Sequence, residues 1–160
     1  MDLPQGKSIP IVQDEEFKRL LGLPPDYELT ENMINLCRWA RDWYAENGQP
    51  WIYSQEAENF EINEDHLIID SHPLYTREFR KRLISGRAHS VVLIAVGAGP
   101  EAEQEAQAQW KNEFPDNYFF MESYASAVVE ALITEASGQL CAWADTQGMA
   151  ALPHYSPGYK

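Results

Sequence analysis

The run Tyr118–Asp145, YFFMESYASAVVEALITEASGQLCAWAD, is the longest helical pattern in the chain. At about 100° per residue, Phe120, Tyr124, Ala127, Val128, Ala131 and Leu132 fall on one broad apolar face, while Ser123, Ser126, Glu130 and Thr134 share a narrow opposing arc. Asp116 or Asn117 is the expected N-cap. Gly138 either sits inside the helix or marks a joint between two pieces. So broad an apolar face must be covered by other elements, and what the rest of the chain offers as cover decides the fold.

Upstream, Gly97-Ala98-Gly99 leads to Pro100 at a first helical position, opening a helix over Glu101–Asn112 with Glu101, Glu103 and Glu105 at its positive end. His89–Val96 is apolar without alternation, which predicts a central strand covered on both faces. Before it, Tyr75–Ser85 reads as a helix ending at Gly86, and Pro50–Tyr53, Phe60–Ile62 and Leu67–Asp70 read as strands. The last two are joined by Asn63-Glu64-Asp65-His66, a composition that suits a hairpin. Thr30 is the expected N-cap of a helix through Asn47, with Met33, Leu36, Cys37, Ala40 and Tyr44 facing inward and Gly48 as a left-handed stop. Phe17–Leu23 reads as a short helix stopped by Pro24-Pro25. The expected architecture is α+β: a small, mainly antiparallel sheet packed with helices, including one long C-terminal helix, in a single domain over 1–160.

Composition narrows the function classes. The chain of 160 residues is 44% hydrophobic and carries 25 acidic against 12 basic residues, a formal net charge of −13. It is too apolar for a disordered chain and too acidic for nucleic acid or anionic lipid as general partners. No stretch approaches the ~20 apolar residues of a membrane helix. Cys37 and Cys141 have no CxxC spacing, so they read as buried thiols in a reducing, cytoplasmic setting.

Most candidate motifs fail on their chemistry. Gly97-Ala98-Gly99-Pro100-Glu101-Ala102 formally satisfies a dinucleotide fingerprint, but three glutamates crowd the helix end where a pyrophosphate would settle. His66, His72, His89 and His154 are scattered and suggest no metal. No serine lies in GxSxG. Arg77, Arg80, Lys81, Arg82 and Arg87 concentrate basic charge in an acidic chain, either as an ordinary helix surface or as a docking patch for an acidic partner or a phosphate-bearing cofactor. Glu130 reads either as a water-facing residue or as an acceptor for an amine or cation. Tyr155-Ser156-Pro157-Gly158-Tyr159 is a turn with flanking aromatic rings, suited to an ordinary anchored turn or to a planar polar ligand.

Taken together, Ser123-Tyr124-Ala125-Ser126-Ala127-Val128-Val129-Glu130-Ala131-Leu132 and the later His154-Tyr155-Ser156-Pro157-Gly158-Tyr159 resemble the reactivation domain of cobalamin-dependent methionine synthase and its stand-alone bacterial relatives. In that family a glutamate-bearing helix is followed by an RxSPGY or RPAPGY loop. The resemblance implies a domain that binds S-adenosylmethionine and presents its methyl group to cobalamin held by a partner methyltransferase, while flavodoxin or another reductant supplies an electron. Glu130 then matches the acid holding the ligand's amino group, and Ser156, Gly158 and Tyr159 match the contacting loop. His154 stands where the family has an arginine for the ligand's carboxylate. An imidazole lacks the bidentate fork, which implies weaker or pH-dependent affinity. The chain has no DxHxxG motif to carry the corrinoid itself, and it ends at Lys160 where the family's domain continues, which implies a shortened relative or a fragment. The alternative expectation is a non-catalytic interaction module of the same fold, docking through Arg77–Arg87 or the acidic Glu56–Asp70 region.

Overall fold

The long apolar pattern forms one uninterrupted helix. In the computed structural model, which describes residues 10–156, it runs Pro115–Thr146. It begins before the expected cap because Pro115 has no N–H to satisfy and its fixed φ suits a first helical turn. Gly138 lies inside it, with open space around the position of a Cβ. The elements follow in the order α1 (Asp14–Leu20), α2 (Glu31–Asn47), β1 (Trp51–Glu56), β2 (Phe60–Ile62), β3 (Leu67–Ile69), β4 (His72–Leu74), α3 (Arg77–Ser85), β5 (Val92–Gly97), α4 (Pro100–Lys111) and α5 (Pro115–Thr146). The fold class is α+β, with β1 paired to β5 and a separate antiparallel sheet in the order β2-β3-β4. The chain forms two compact units, each assembled from separate stretches of sequence.

One unit comprises the described part of Gln5–Ile52 together with Val96–Glu135. Its core gathers Phe17 from α1, Ala40 and Tyr44 from α2, Ala102 and Ala106 from α4, and Phe120, Met121, Tyr124, Ala127, Val128 and Leu132 from α5. The alanines let neighbouring backbones approach, and aromatic rings fill the remaining space. Phe17 meets Tyr124 edge-on at 5.2 Å and 80°, and Tyr44 lies 5.6 Å from Tyr124. Such pairs are worth about 0.5–1.5 kcal/mol each beyond their burial. The Thr30 hydroxyl accepts from the Met33 amide at 3.3 Å, the expected cap of α2. α1 starts earlier than its apolar residues suggested and ends with Gly22 at φ 73, closed by a bond from the Leu23 amide to the Lys18 carbonyl at 3.2 Å.

The expectation of Gly48 as a left-handed stop is corrected. Its backbone is extended, at φ −65 and ψ 141. Glycine is required there by close approach, since a Cβ would lie 2.6 Å from Cζ of the Tyr44 ring.

The other unit comprises Tyr53–Ala95 and the described part of Ala136–Lys160. Leu67, Ile69, Leu83 and Val91 form its core, with Phe60, Ile62 and Phe79 packed against them. The predicted hairpin is present, with Phe60 opposite Ile69 and Ile62 opposite Leu67. The third strand, β4, escaped the sequence reading. Asp70 at φ 47 and Ser71 at φ 68 form a two-residue hairpin turn between Ile69 and its partner His72. Pro73 argues against a central strand, but β4 lies at the sheet edge, where proline is tolerated. Asp70 Oδ1 also accepts the Glu58 and Asn59 amides at 2.8 and 3.0 Å, tying this turn to the loop before β2.

Two further expectations are overturned. The apolar run ending at Val96 is a member of a two-stranded sheet, not a central strand, and its exposure alternates along the strand. Leu93 is left 43% exposed. Cys141 is exposed rather than buried, and Cys37 is half-buried. No helix among the described residues is long and apolar enough to cross a membrane.

Candidate functional site

Glu130 lies on α5 within the first unit and is exposed. The small hydroxyls of its arc do not form the polar ring that the helical projection suggested. Ser123 is buried. The Ser126 and Thr134 hydroxyls donate to the carbonyls of Glu122 and Glu130, each at 3.0 Å, as serine and threonine do inside helices. The Glu130 carboxylate makes no side-chain hydrogen bond among the described residues. The Arg19 guanidinium is held more firmly protonated by the Glu16 carboxylate first and by Glu130 last. Arg19 is already engaged, with Nε 2.9 Å from one Glu16 oxygen. Glu130 therefore presents an exposed carboxylate suited to an ammonium donor.

The tail residues belong to the other unit. His154 is exposed, with Nδ1 3.4 Å from the Ser137 hydroxyl, and Ser156 is half-buried. Gly158 and Tyr159 lie outside the described residues. What holds the tail is Tyr155. Its ring stacks on Phe79 with centroids 4.7 Å apart and planes 6° from parallel. Its hydroxyl lies 3.0 Å from the Thr76 hydroxyl, and the Arg82 guanidinium stands 5.9 Å from the ring centroid. Phe79 and Arg82 are one turn apart on α3, and Thr76 is the N-cap of that helix, accepting from the Phe79 amide at 3.4 Å. No sequence signal announced this clamp, because Thr76 and Tyr155 are 79 residues apart.

The basic cluster is partly engaged within its own unit. Arg80 Nε donates to the Asn63 carbonyl at 2.6 Å, and Arg82 pairs with Glu78 at 3.3 Å. Arg77, Lys81 and Arg87 are exposed and form no ion pair among the described residues. No group of three or more His, Cys, Asp or Glu residues suited to a metal ion occurs among the described residues. Compared with known proteins, the chain matches no protein-family model and no curated protein.

Proposed function

We propose that this chain is a cytoplasmic accessory module that binds S-adenosylmethionine and offers its methyl group to cobalamin on a partner corrinoid methyltransferase. Flavodoxin or another reductant would supply the electron. The observation that carries this reading is Glu130, an exposed carboxylate midway along α5 with no side-chain hydrogen bond of its own. An α-ammonium group would give it charge-assisted bonds. Support also comes from the clamp on Tyr155, which fixes the residue between His154 and Ser156 against α3. The chemistry asks for positioning more than for side-chain catalysis, since orientation of a methyl group toward cobalt dominates such a transfer.

Calorimetric titration with S-adenosylmethionine tests the proposal. Saturable heat that falls at least about tenfold in affinity in Glu130→Gln is the expected result. No heat at millimolar ligand, on protein shown to be folded, overturns it.

A second reading, a non-catalytic interaction module, is favoured by Arg77, Lys81 and Arg87, which stay without ion partners in a chain of net charge −13. It predicts salt-sensitive capture of an acidic protein that is abolished when these three residues are changed to glutamine.

A further inference from the structure

The turn between α4 and α5, in the first unit, gathers exposed aromatic rings. Trp110 is 58% exposed, Phe114 56% and Phe119 47%. Trp110 rests against Tyr118 with ring centroids 5.3 Å apart, and Phe119 meets the buried Phe120 edge-on at 5.9 Å, so each is held on one side and wet on the other. The turn itself is fixed. The Phe114 amide donates to the Gln109 carbonyl at 2.9 Å and the Glu113 amide to the Trp110 carbonyl at 3.1 Å, the pair of bonds that closes a Schellman motif. Its left-handed position, ordinarily a glycine, is Glu113 at φ 65. The chain accepts backbone strain to hold a carboxylate there, in sequence between Trp110 and Phe114. Asp116 lies one turn before Phe119 on α5. Over residues 109–122 Lys111 stands against Glu113, Asp116 and Glu122. This surface is aromatic and net acidic.

The α3 helix, in the other unit, presents the complement. At about 100° per residue, Arg77, Lys81 and Ile84 fall within about 60° of one another. They lie on the far side of the helix from Phe79 and Leu83, which pack in the core. Arg77 and Lys81 are exposed, and Ile84 is 47% exposed. Guanidinium and ammonium groups are attracted both to carboxylates and to the faces of aromatic rings. Ile84 adds an aliphatic end that a ring can cover.

We propose that the turn between α4 and α5 of one copy receives the α3 face of a second copy, pairing Arg77 and Lys81 with Glu113 and Asp116 and covering Trp110 and Phe119. The inference rests on the reading of α3 as a docking surface for an acidic protein and names that partner as this same chain. Because the two faces differ, the contact is head-to-tail.

Sedimentation velocity on the full chain is the test. At about 0.1 M salt, species larger than the monomer should grow with protein concentration, and at about 0.5 M they should dissociate. General repulsion in a chain of net charge −13 predicts the reverse, association favoured by salt. Arg77→Gln with Lys81→Gln, and separately Glu113→Gln with Asp116→Asn, should each weaken self-association at least about tenfold, although the second pair lowers the net negative charge. Trp110→Ala with Phe119→Ala, which keeps every charge, should weaken it likewise. Mixing the two charge variants, each shown to be folded by circular dichroism, should restore one intact contact and give a complex of one copy of each that does not extend. A monomer at every concentration, association that survives both charge variants, or a mixture that forms no complex overturns the proposal. Salt-sensitive capture of a different acidic protein by a chain that stays monomeric also overturns it, while leaving α3 as a docking surface. Loss of both removes that reading as well.

Discussion

The hydroxyl of Tyr44 donates to the carbonyl of Ala98 at 2.5 Å, joining the last turn of α2 to the loop between β5 and α4. Tyr44 is fully buried, so its hydroxyl and the Ala98 carbonyl depend on each other for satisfaction. Tyr44→Phe keeps the ring and removes the donor, leaving a buried acceptor unpaired. The expected loss is about 1–3 kcal/mol of stability, read as a lower urea midpoint with an unchanged slope. An unchanged midpoint would mean that this bond contributes nothing net.

Alkaline pH should destabilise the protein through the same region. Burial pushes the Tyr44 hydroxyl far above the ordinary tyrosine value, and nearby Tyr124 and the Glu101 carboxylate push in the same direction. Tyr124 is also raised by burial, against the opposing attraction of Arg41. Below about pH 10 both the folded and unfolded chains keep these protons. Above it the unfolded chain releases them while the folded chain holds them, so the unfolded state binds fewer protons and stability falls as pH rises. Urea midpoints should therefore decline as pH rises above about 10, and Tyr44→Phe should flatten the decline. A flat profile in the unmodified protein contradicts this account.

Gly48→Ala separates two reasons for a glycine. If the residue were needed only for conformational freedom, its extended backbone at φ −65 would accept alanine, with a gain of about 0.4–1 kcal/mol. The added Cβ instead lies 2.6 Å from the Tyr44 ring and 2.7 Å from the Tyr44 carbonyl oxygen. The expected result is destabilisation by about 1–3 kcal/mol, measured by thermal or urea unfolding. A rise in midpoint would show that the ring can move aside at no cost.

The same contrast explains how much of the molecule was legible in its sequence. Local chemistry was readable: Thr30 caps α2, the apolar face of α5 is buried, and the turn after Ile62 makes its hairpin. What escaped was set by distant neighbours. Gly48 owes its identity to a tyrosine ring, which an added Cβ would approach to 2.6 Å. The apolar run of β5 looked central because composition reports hydrophobicity without reporting how many strands lie beside it. The helical projection likewise placed Ser123 with Glu130, yet packing over the first turns of α5 buries Ser123 and leaves Glu130 outside. Of the candidate ligand residues, sequence pattern located Glu130 on its helix and His154 in the tail. It carried no sign of the clamp that holds Tyr155.

That clamp yields a prediction with separable parts. The ring of Tyr155 contacts two residues of α3, stacked on Phe79 at 4.7 Å with Arg82 at 5.9 Å, and its hydroxyl reaches Thr76 at 3.0 Å. Tyr155→Phe removes only the hydroxyl contact. Because Thr76 retains its bond to the Phe79 amide, the loss should be small, about 0.5–1.5 kcal/mol. Tyr155→Ala removes the stack and the cation contact together. Amide exchange over residues 149–156 should then speed up far more in Tyr155→Ala than in Tyr155→Phe, while exchange in β2 and β3 stays slow. Phe79→Ala should reproduce the Tyr155→Ala pattern in the tail if stacking is the main anchor. Equal protection of the tail in Tyr155→Ala and the unmodified chain would assign its anchoring to other residues and remove the support that this contact lends to a ligand-binding role for His154 and Ser156.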